Sequence, residues 1–185
     1  NKKSFFSVSY HLISIDKALL YDLYVNSSSL ESKEKFVRIF PVGEILKKSD
    51  VVLFKHKYPQ LFVLESQRKN YLRSLSSIET ASKLEKTTII KDSAIKYLEQ
   101  IFDKDKEMTN EVLSETIEGC KESVNSMIKV VSDLEISDVQ KLIADLSIHD
   151  FYTYDHSINV AMYSISILKQ LKPNVSKKEQ MTAGL

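Results

Sequence analysis

One stretch of the chain concentrates side chains that could do chemistry. Residues 149–161 read His-Asp-Phe-Tyr-Thr-Tyr-Asp-His-Ser-Ile-Asn-Val-Ala, and an apolar helical pattern follows them directly. The second histidine, His156, falls in the first turn of the predicted helix, and neutral imidazole is a common ligand of transition metals. His156 is therefore a candidate metal ligand. The alternative is the structural role that a single histidine near a helix start commonly has.

A His-Asp pair, His149-Asp150, lies just upstream of this helix. Aspartate accepts hydrogen bonds from the free amides at a helix start. We therefore interpret Asp150 as a residue that caps the approach to the helix, and we do not count the pair among the candidate ligands.

The segment from Tyr152 to Ala161, Tyr-Thr-Tyr-Asp-His-Ser-Ile-Asn-Val-Ala, resembles the opening motif of HD-GYP domains. These domains are the cyclic-di-GMP phosphodiesterase branch of the HD hydrolases. The run Ala-Gly-Leu at 183–185 is similar to the run that leads, in that family, into the signature His-Asp doublet. The resemblance covers residues 145–185. Residues 1–80 more weakly resemble the small modules found ahead of such domains.

The resemblance implies a role for each residue of the motif. His156 would be the first ligand of a binuclear or trinuclear iron or manganese site, whose metals activate a water and offset charge on a phosphodiester. Some members of the family carry a carboxylate ligand four residues earlier, and Tyr152 at this position implies two metals. Tyr152, Thr153, Ser157 and Asn159 would be supporting residues. Ser157 and Asn159 would be close-packed, with Asn159 one helical turn from the histidine.

The family's later ligands and its Gly-Tyr-Pro tripeptide are absent from residues 1–185. A catalytic metal needs three or more protein ligands, so we expect this 185-residue chain to bind no metal and to be inactive alone. The parent protein would be the phosphodiesterase. The alternative is a non-catalytic signalling adaptor, a degenerate HD-GYP protein. The helix with Cys120 and the apolar residues of 181–185 would then form a protein-partner or homodimer surface.

The elements that would position this motif follow from apolar spacing and turn residues. Alternating apolar positions and short apolar runs predict four strands in residues 4–64. These are Phe6–Tyr10, Leu19–Val25, Phe36–Phe40 and Leu61–Leu64. The tripeptide Pro41-Val-Gly43 predicts a turn, and a short helix capped by Ser49 or Asp50 is predicted up to Tyr58.

Helices are predicted over the rest of the chain, where capping residues precede apolar positions three and four apart. The predicted starts are Ser66, Asp92, Thr109 or Asn110, Ser137, Tyr154 and Ser176. Residues 77–88 are polar and rich in serine and threonine, so we interpret them as a linker or a frayed helix end. The helix that starts at Thr109 or Asn110 should have the apolar stripe Leu113, Ile117, Cys120, Val124, Ile128 and Val131.

The predicted fold class is α+β, with a small N-terminal module followed by an all-α helical region. The predicted domains are an N-terminal regulatory or interaction module at 1–80, a helical connector at 81–148, and the beginning of an incomplete HD-GYP domain at 149–185. A helix starting at Ser176 would have few residues and little to pack on, so we expect the chain to be a truncated piece of a longer protein.

Composition limits the classes of function. The formal net charge is +1, from 26 basic and 25 acidic residues, and a nucleic-acid-binding surface would need clustered positive charge. No apolar run approaches the roughly 18 residues that span a bilayer. The single Cys120 excludes an internal disulfide framework and fits a reducing compartment. We therefore predict a cytoplasmic protein with no nucleic-acid or membrane partner.

Overall fold

The computed structural model describes residues 4–28, 33–103, 107–132, 134–147 and 153–185. The chain forms two compact units, Asn1–Ala81 and Ser82–Leu185. The first contains a four-stranded antiparallel sheet and the second is helical, so the predicted α+β class is confirmed. The predicted connector and the predicted start of the HD-GYP domain fall together in the second unit.

All four predicted strands form, with shifted ends for the first two. The strands of the first unit are β1 (Phe5–Val8), β2 (Leu23–Asn26), β3 (Phe36–Phe40) and β4 (Leu61–Leu64). Their order in the sheet is β1-β4-β2-β3, and all three pairings are antiparallel. Two helices complete the unit, α1 (Lys48–Lys57) and α2 (Arg68–Leu75), with 3-10 turns at Tyr10–Leu12 and Glu65–Gln67.

One face of this sheet is the core of the first unit. Side chains alternate between the faces of a strand, and Val8, Val25 and Val63 are buried on the same face. Tyr71 of α2 contacts Phe6 on that face, with ring centroids 5.5 Å apart. The core face therefore lies against α2.

The opposite face of the sheet carries a cluster of aromatic rings. Phe5 stacks on Phe36 with centroids 4.0 Å apart, and it also meets the edge of Tyr24. Phe62 meets Phe36 edge to face at 5.0 Å. The aromatic rings of the four strands thus shield one another from water on this side of the sheet.

The turn predicted at Pro41-Val-Gly43 is confirmed, and Gly43 adopts a φ of 89° that only glycine takes without strain. The predicted cap of α1 is wrong, because the helix begins at Lys48 with Lys47 as its capping residue. Asp50 instead lies in the first turn, and its carboxylate accepts a hydrogen bond from the Lys47 amide at 2.9 Å.

The described residues of the second unit form five helices. They are α3 (Lys83–Phe102), α4 (Asn110–Val131), α5 (Ile136–Ser147), α6 (Thr153–Leu171) and α7 (Lys177–Gly184). Helix α3 packs along α4, and α6 packs on α7, α3, α5 and α4. The motif helix therefore lies among the other four helices of its unit.

The start of α3 overturns two predictions. Residues 83–88 are helical and not a linker, and the helix is capped by Ser82. The Ser82 hydroxyl accepts from the Glu85 amide at 3.2 Å, and the Glu85 carboxylate accepts from the Ser82 amide at 2.8 Å. Asp92, the predicted cap, lies inside the helix. The second turn of α3 buries Thr87 and Ile90, and this burial fixes the helix at the earlier start.

The other predicted caps had mixed outcomes. Thr109 caps α4 through a hydrogen bond from the Val112 amide, and Ser176 forms the predicted capping box with Glu179. The prediction for Ser137 is wrong, because α5 begins at Ile136 and Ser137 lies within its first turn. The cap of α2 is Gln67 and not Ser66.

The apolar stripe of α4 is buried over only part of its length. Val124, Ile128 and Val131 are buried, whereas Leu113 and Ile117 are 40% and 45% exposed. The ring of Tyr97 on α3 lies directly against the backbone of Gly119, where a Cβ atom would overlap it. Helices α3 and α4 are therefore in close contact at the middle of α4.

Candidate functional site

The motif lies at the start of α6, as the sequence predicts. The helix begins at Thr153 and ends at Leu171, two residues before Pro173. Ile158 and Ile165 are buried on one side of it. This apolar side holds α6 in the helical unit, so the first turn of the helix has a defined place.

The candidate residues near the start of α6 have different surroundings. His156 and Ser157 are exposed, whereas Asn159 is fully buried. The burial of Asn159 agrees with the expectation that its side chain is close-packed. The expectation that Ser157 is close-packed is wrong, because its side chain lies at the exposed edge of a cavity.

Four of the residues named in the sequence lie wholly or partly outside the part of the chain that the structure describes. Tyr152 and the His149-Asp150 pair lie outside the described residues, and for Thr153 the structure describes the helical backbone but not the side chain. The roles proposed for these four residues therefore stay predictions.

An ion pair joins the motif to α3. The ammonium of Lys91 lies 3.1 Å from the carboxylate of Asp155, the residue just before His156. The side chains of Lys91 and Asp155 are only 7% and 16% exposed. A charge removed from water is costly unless it is paired. Loss of either partner should therefore lower the stability more than the loss of a partner in a surface pair.

A half-open cavity of about 380 Å³ lies beside the motif, enclosed by α3, α4, α6 and α7. Its lining is mostly apolar. The lining side chains and glycine are Ala94, Leu98, Cys120, Val124, Met127, Ile158, Ala161, Gly184 and Leu185, with Ser123 and Ser157 as the polar members. Ser123 donates to the carbonyl of Gly119 at 3.0 Å, so its hydroxyl is engaged within its own helix.

The thiol of Cys120 faces this cavity. Burial raises the pKa of Cys120 above its ordinary value, so less of it is thiolate at neutral pH. A nucleophilic or metal-binding cysteine needs the opposite shift. Cys120 is therefore a small apolar side chain of the cavity wall, which agrees with the interpretation of it as part of the stripe on α4.

The described residues do not complete a metal centre. Among them, no group of three or more histidine, cysteine, aspartate or glutamate side chains could hold a metal ion. His156 is exposed, whereas the neighbouring carboxylate of Asp155 faces Lys91. Of the iron or manganese site that the resemblance implies, the described residues contain the candidate ligand His156.

The sequence did not predict the buried ion pair of Lys91. Its neighbours Ile90 and Ala94 are buried, so the lysine lies on the packed side of α3. A lysine at a position that the helical period assigns to the core is a signal for a buried partner. Nothing in the sequence identifies Asp155 as that partner, because the two residues are far apart along the chain.

Comparisons with models of protein families, with curated proteins and with solved structures found no match to this chain. Among the described residues, the structure has no helix with the length and apolar character needed to cross a membrane.

Proposed function

We propose that residues 153–185 are the opening helices of an HD-GYP phosphodiesterase domain, and that the parent protein hydrolyses cyclic-di-GMP. The placement of His156 is the observation that supports this proposal. It lies exposed in the first turn of a helix whose following turns are packed, with the buried Asn159 beneath it. A metal ligand needs both an accessible imidazole and a fixed backbone.

In this proposal the residues of the chain prepare one side of the centre. His156 offers the first ligand, Asn159 packs the turn below it, and Ile158 and Ile165 anchor the helix. The metals, once bound with the remaining ligands, would supply an activated water and positive charge at the phosphodiester.

The test uses the product of the complete gene that encodes these residues, purified and supplied with Mn²⁺ or Fe²⁺. We expect it to hydrolyse cyclic-di-GMP. We expect His156→Ala to lower both bound metal and turnover by more than about 100-fold, the upper end of the loss seen for residues that only support a ligand. Metal content and product formation are the two measurements.

His56→Ala is the matched control. His56 is an exposed histidine on α1, in the other unit, and its loss should leave both quantities unchanged. A wild-type protein without hydrolysis in either metal, or a His156→Ala variant as active as the wild type, would contradict the proposal.

A non-catalytic adaptor is the second candidate, and a specific feature favours it. Val160, Ile167 and Leu171 are exposed on α6 at spacings of seven and four residues, which places them along one side of the helix. An exposed apolar stripe of this kind suits a protein partner or a second copy. In the assay above, a wild-type protein without metal and without turnover would favour this candidate.

A further inference from the structure

We propose that Lys91 is a positioning residue for the candidate metal ligand: its ion pair with Asp155 fixes the first turn of α6 against α3 and so sets where the imidazole of His156 lies. The chemical meaning of the inference rests on the proposed function, because only there is His156 a ligand. Its test does not, since it follows the position of the imidazole in the 185-residue chain without any metal.

The ion pair between Lys91 and Asp155 is buried. A lysine side chain that is 7% exposed has given up most of its hydration, and the carboxylate 3.1 Å away offsets that loss. The same helix offers a contrast in Lys96, which pairs with Glu99 at 2.7 Å while both side chains are about half exposed. The exposed pair holds two residues of one helix, whereas the buried pair joins two helices.

Asp155 occupies a sensitive position in its helix. Asp155 lies in the first turn of α6, where the backbone amides have no partners within the helix. A first turn is the part of a helix that most readily loosens, so a tertiary contact there has more influence than one at mid-helix. A carboxylate at this position also interacts favourably with the positive end of the helix dipole.

The ion pair is connected to His156 through the backbone of α6. Consecutive residues of a helix are separated by a fixed rotation of about 100° and a rise of 1.5 Å. The backbone of His156 therefore cannot keep its place if that of Asp155 moves. The ion pair, one residue away, limits the positions open to the imidazole, and a metal site tolerates displacements of only about 0.5 Å.

The experiment records the imidazole cross peak of His156 by NMR, assigned with His156→Gln, at one pH and salt concentration. We expect Lys91→Met to displace and broaden this peak. Lys91→Arg, which keeps a cation within reach of Asp155, should restore much of the wild-type position. Lys96→Met is the matched control from the same helix and should leave the peak where it is.

A double variant separates positioning from a direct effect of charge and covers the case in which Lys91→Met does not fold. Lys91→Met with Asp155→Leu removes both charges, a replacement that commonly keeps a fold intact. If Lys91 positions the first turn of α6, the peak stays displaced in the double variant. The displacement should be about as large as in Lys91→Met or Asp155→Leu alone. A double variant with the wild-type peak position, or an equal displacement in Lys96→Met, would overturn the proposal.

The outcome of the NMR experiment does not depend on whether the proposed function is correct. A negative phosphodiesterase assay would not contradict the role proposed for the ion pair between Lys91 and Asp155, because the NMR measurement uses no metal or nucleotide. A displaced peak with an inactive parent would leave Lys91 as the residue that positions His156 in a non-catalytic protein.

Discussion

Gly119 shows how one residue can decide the distance between two helices. The ring of Tyr97 occupies the space where any larger residue would place its Cβ atom. The neighbouring atoms belong to an aromatic ring that is itself buried, so they cannot move aside as the end of a flexible side chain would. The contact between α3 and α4 therefore depends on the absence of a side chain at position 119.

We expect Gly119→Ala to lower the free energy of unfolding by about 1–2 kcal/mol. Alanine favours the helical backbone over glycine by about 1 kcal/mol. The overlap with Tyr97 should cost about 2–3 kcal/mol, in the range found for overpacked cores, and it decides the sign. Urea unfolding followed by circular dichroism measures the change.

Ser114→Ala in the same helix is the control for that substitution. Ser114 is exposed, so only helix propensity changes there, and the free energy of unfolding should stay the same or rise by up to about 0.5 kcal/mol. A Gly119→Ala variant as stable as Ser114→Ala would mean that the two helices can separate slightly without cost.

At this scale the sequence predicted the position of His156 in its helix better than the surroundings of the neighbouring residues. His156 was placed correctly in the first turn of a helix, because the apolar spacing after it fixes the helical phase. The ion pair of Lys91 with Asp155 was not predictable, since a contact between distant parts of the chain depends on how α3 and α6 pack. Ser157 was expected to be packed, but no sequence pattern reports the cavity beside it.

Helix starts show what a local pattern can and cannot decide. Ser82-Lys-Leu-Glu85 has the same capping-box form as Ser176-Lys-Lys-Glu179, and both boxes form. The first was overlooked because residues 77–88 have the composition of a linker. Asp92 is an equally acceptable capping residue type, and the choice between the two starts is made by the burial of Thr87 and Ile90.

The capping box of α7 should respond to acid. Hydrogen bonds from Lys172 and then Ser176 lower the pKa of Glu179 to about 2. A carboxylate with a lowered pKa contributes its stability above its ordinary pKa of 4.5 and loses it as the pH falls through about 2. We expect the amides of α7 to keep their protection from hydrogen exchange at pH 4 and to lose part of it near pH 2.

Glu179→Gln should remove this acid dependence and lower the protection of α7 already at pH 6. The effect should shrink in high salt, because Lys172 and Glu179 are each about half exposed and their interaction is screened. Glu115→Gln, at an exposed position of α4, serves as the control. An unchanged protection profile in Glu179→Gln would contradict this account of the cap.

At the scale of the molecule, the first unit has a core of its own. Leu23, Val63, Tyr71 and Leu75 are at most 1% exposed within residues 1–81. A chain of this length can bury enough surface to fold alone, although with a modest margin. We expect residues 1–81, expressed alone, to give a dispersed NMR spectrum and to unfold cooperatively in urea.

The control for this prediction is the same fragment with Val63→Asp, which places an unpaired charge at a fully buried position of β4 and should abolish the dispersed spectrum. A wild-type fragment with the collapsed spectrum of the variant would show that residues 1–81 depend on the rest of the chain.

The sequence also predicted the α+β class and the four strands, but not the order of the strands in the sheet. Alternation along Phe36–Phe40 fixes which side chains share a face, because the period of a strand is two. It does not say which strand lies beside which. The pairing of β1 with β4, rather than with β2, is decided by the packing of the whole unit.

That pairing has a consequence for the order of events on the ribosome. Strand β1 finds its neighbour only when Leu61–Leu64 has been synthesised, because β4 is the one strand that pairs with it among the described residues. At roughly 5–20 residues per second, the apolar side chains of β1 wait for several seconds. The sheet therefore closes late, and its slow non-local step exposes the first strand to chaperones or to aggregation before the N-terminal unit is complete.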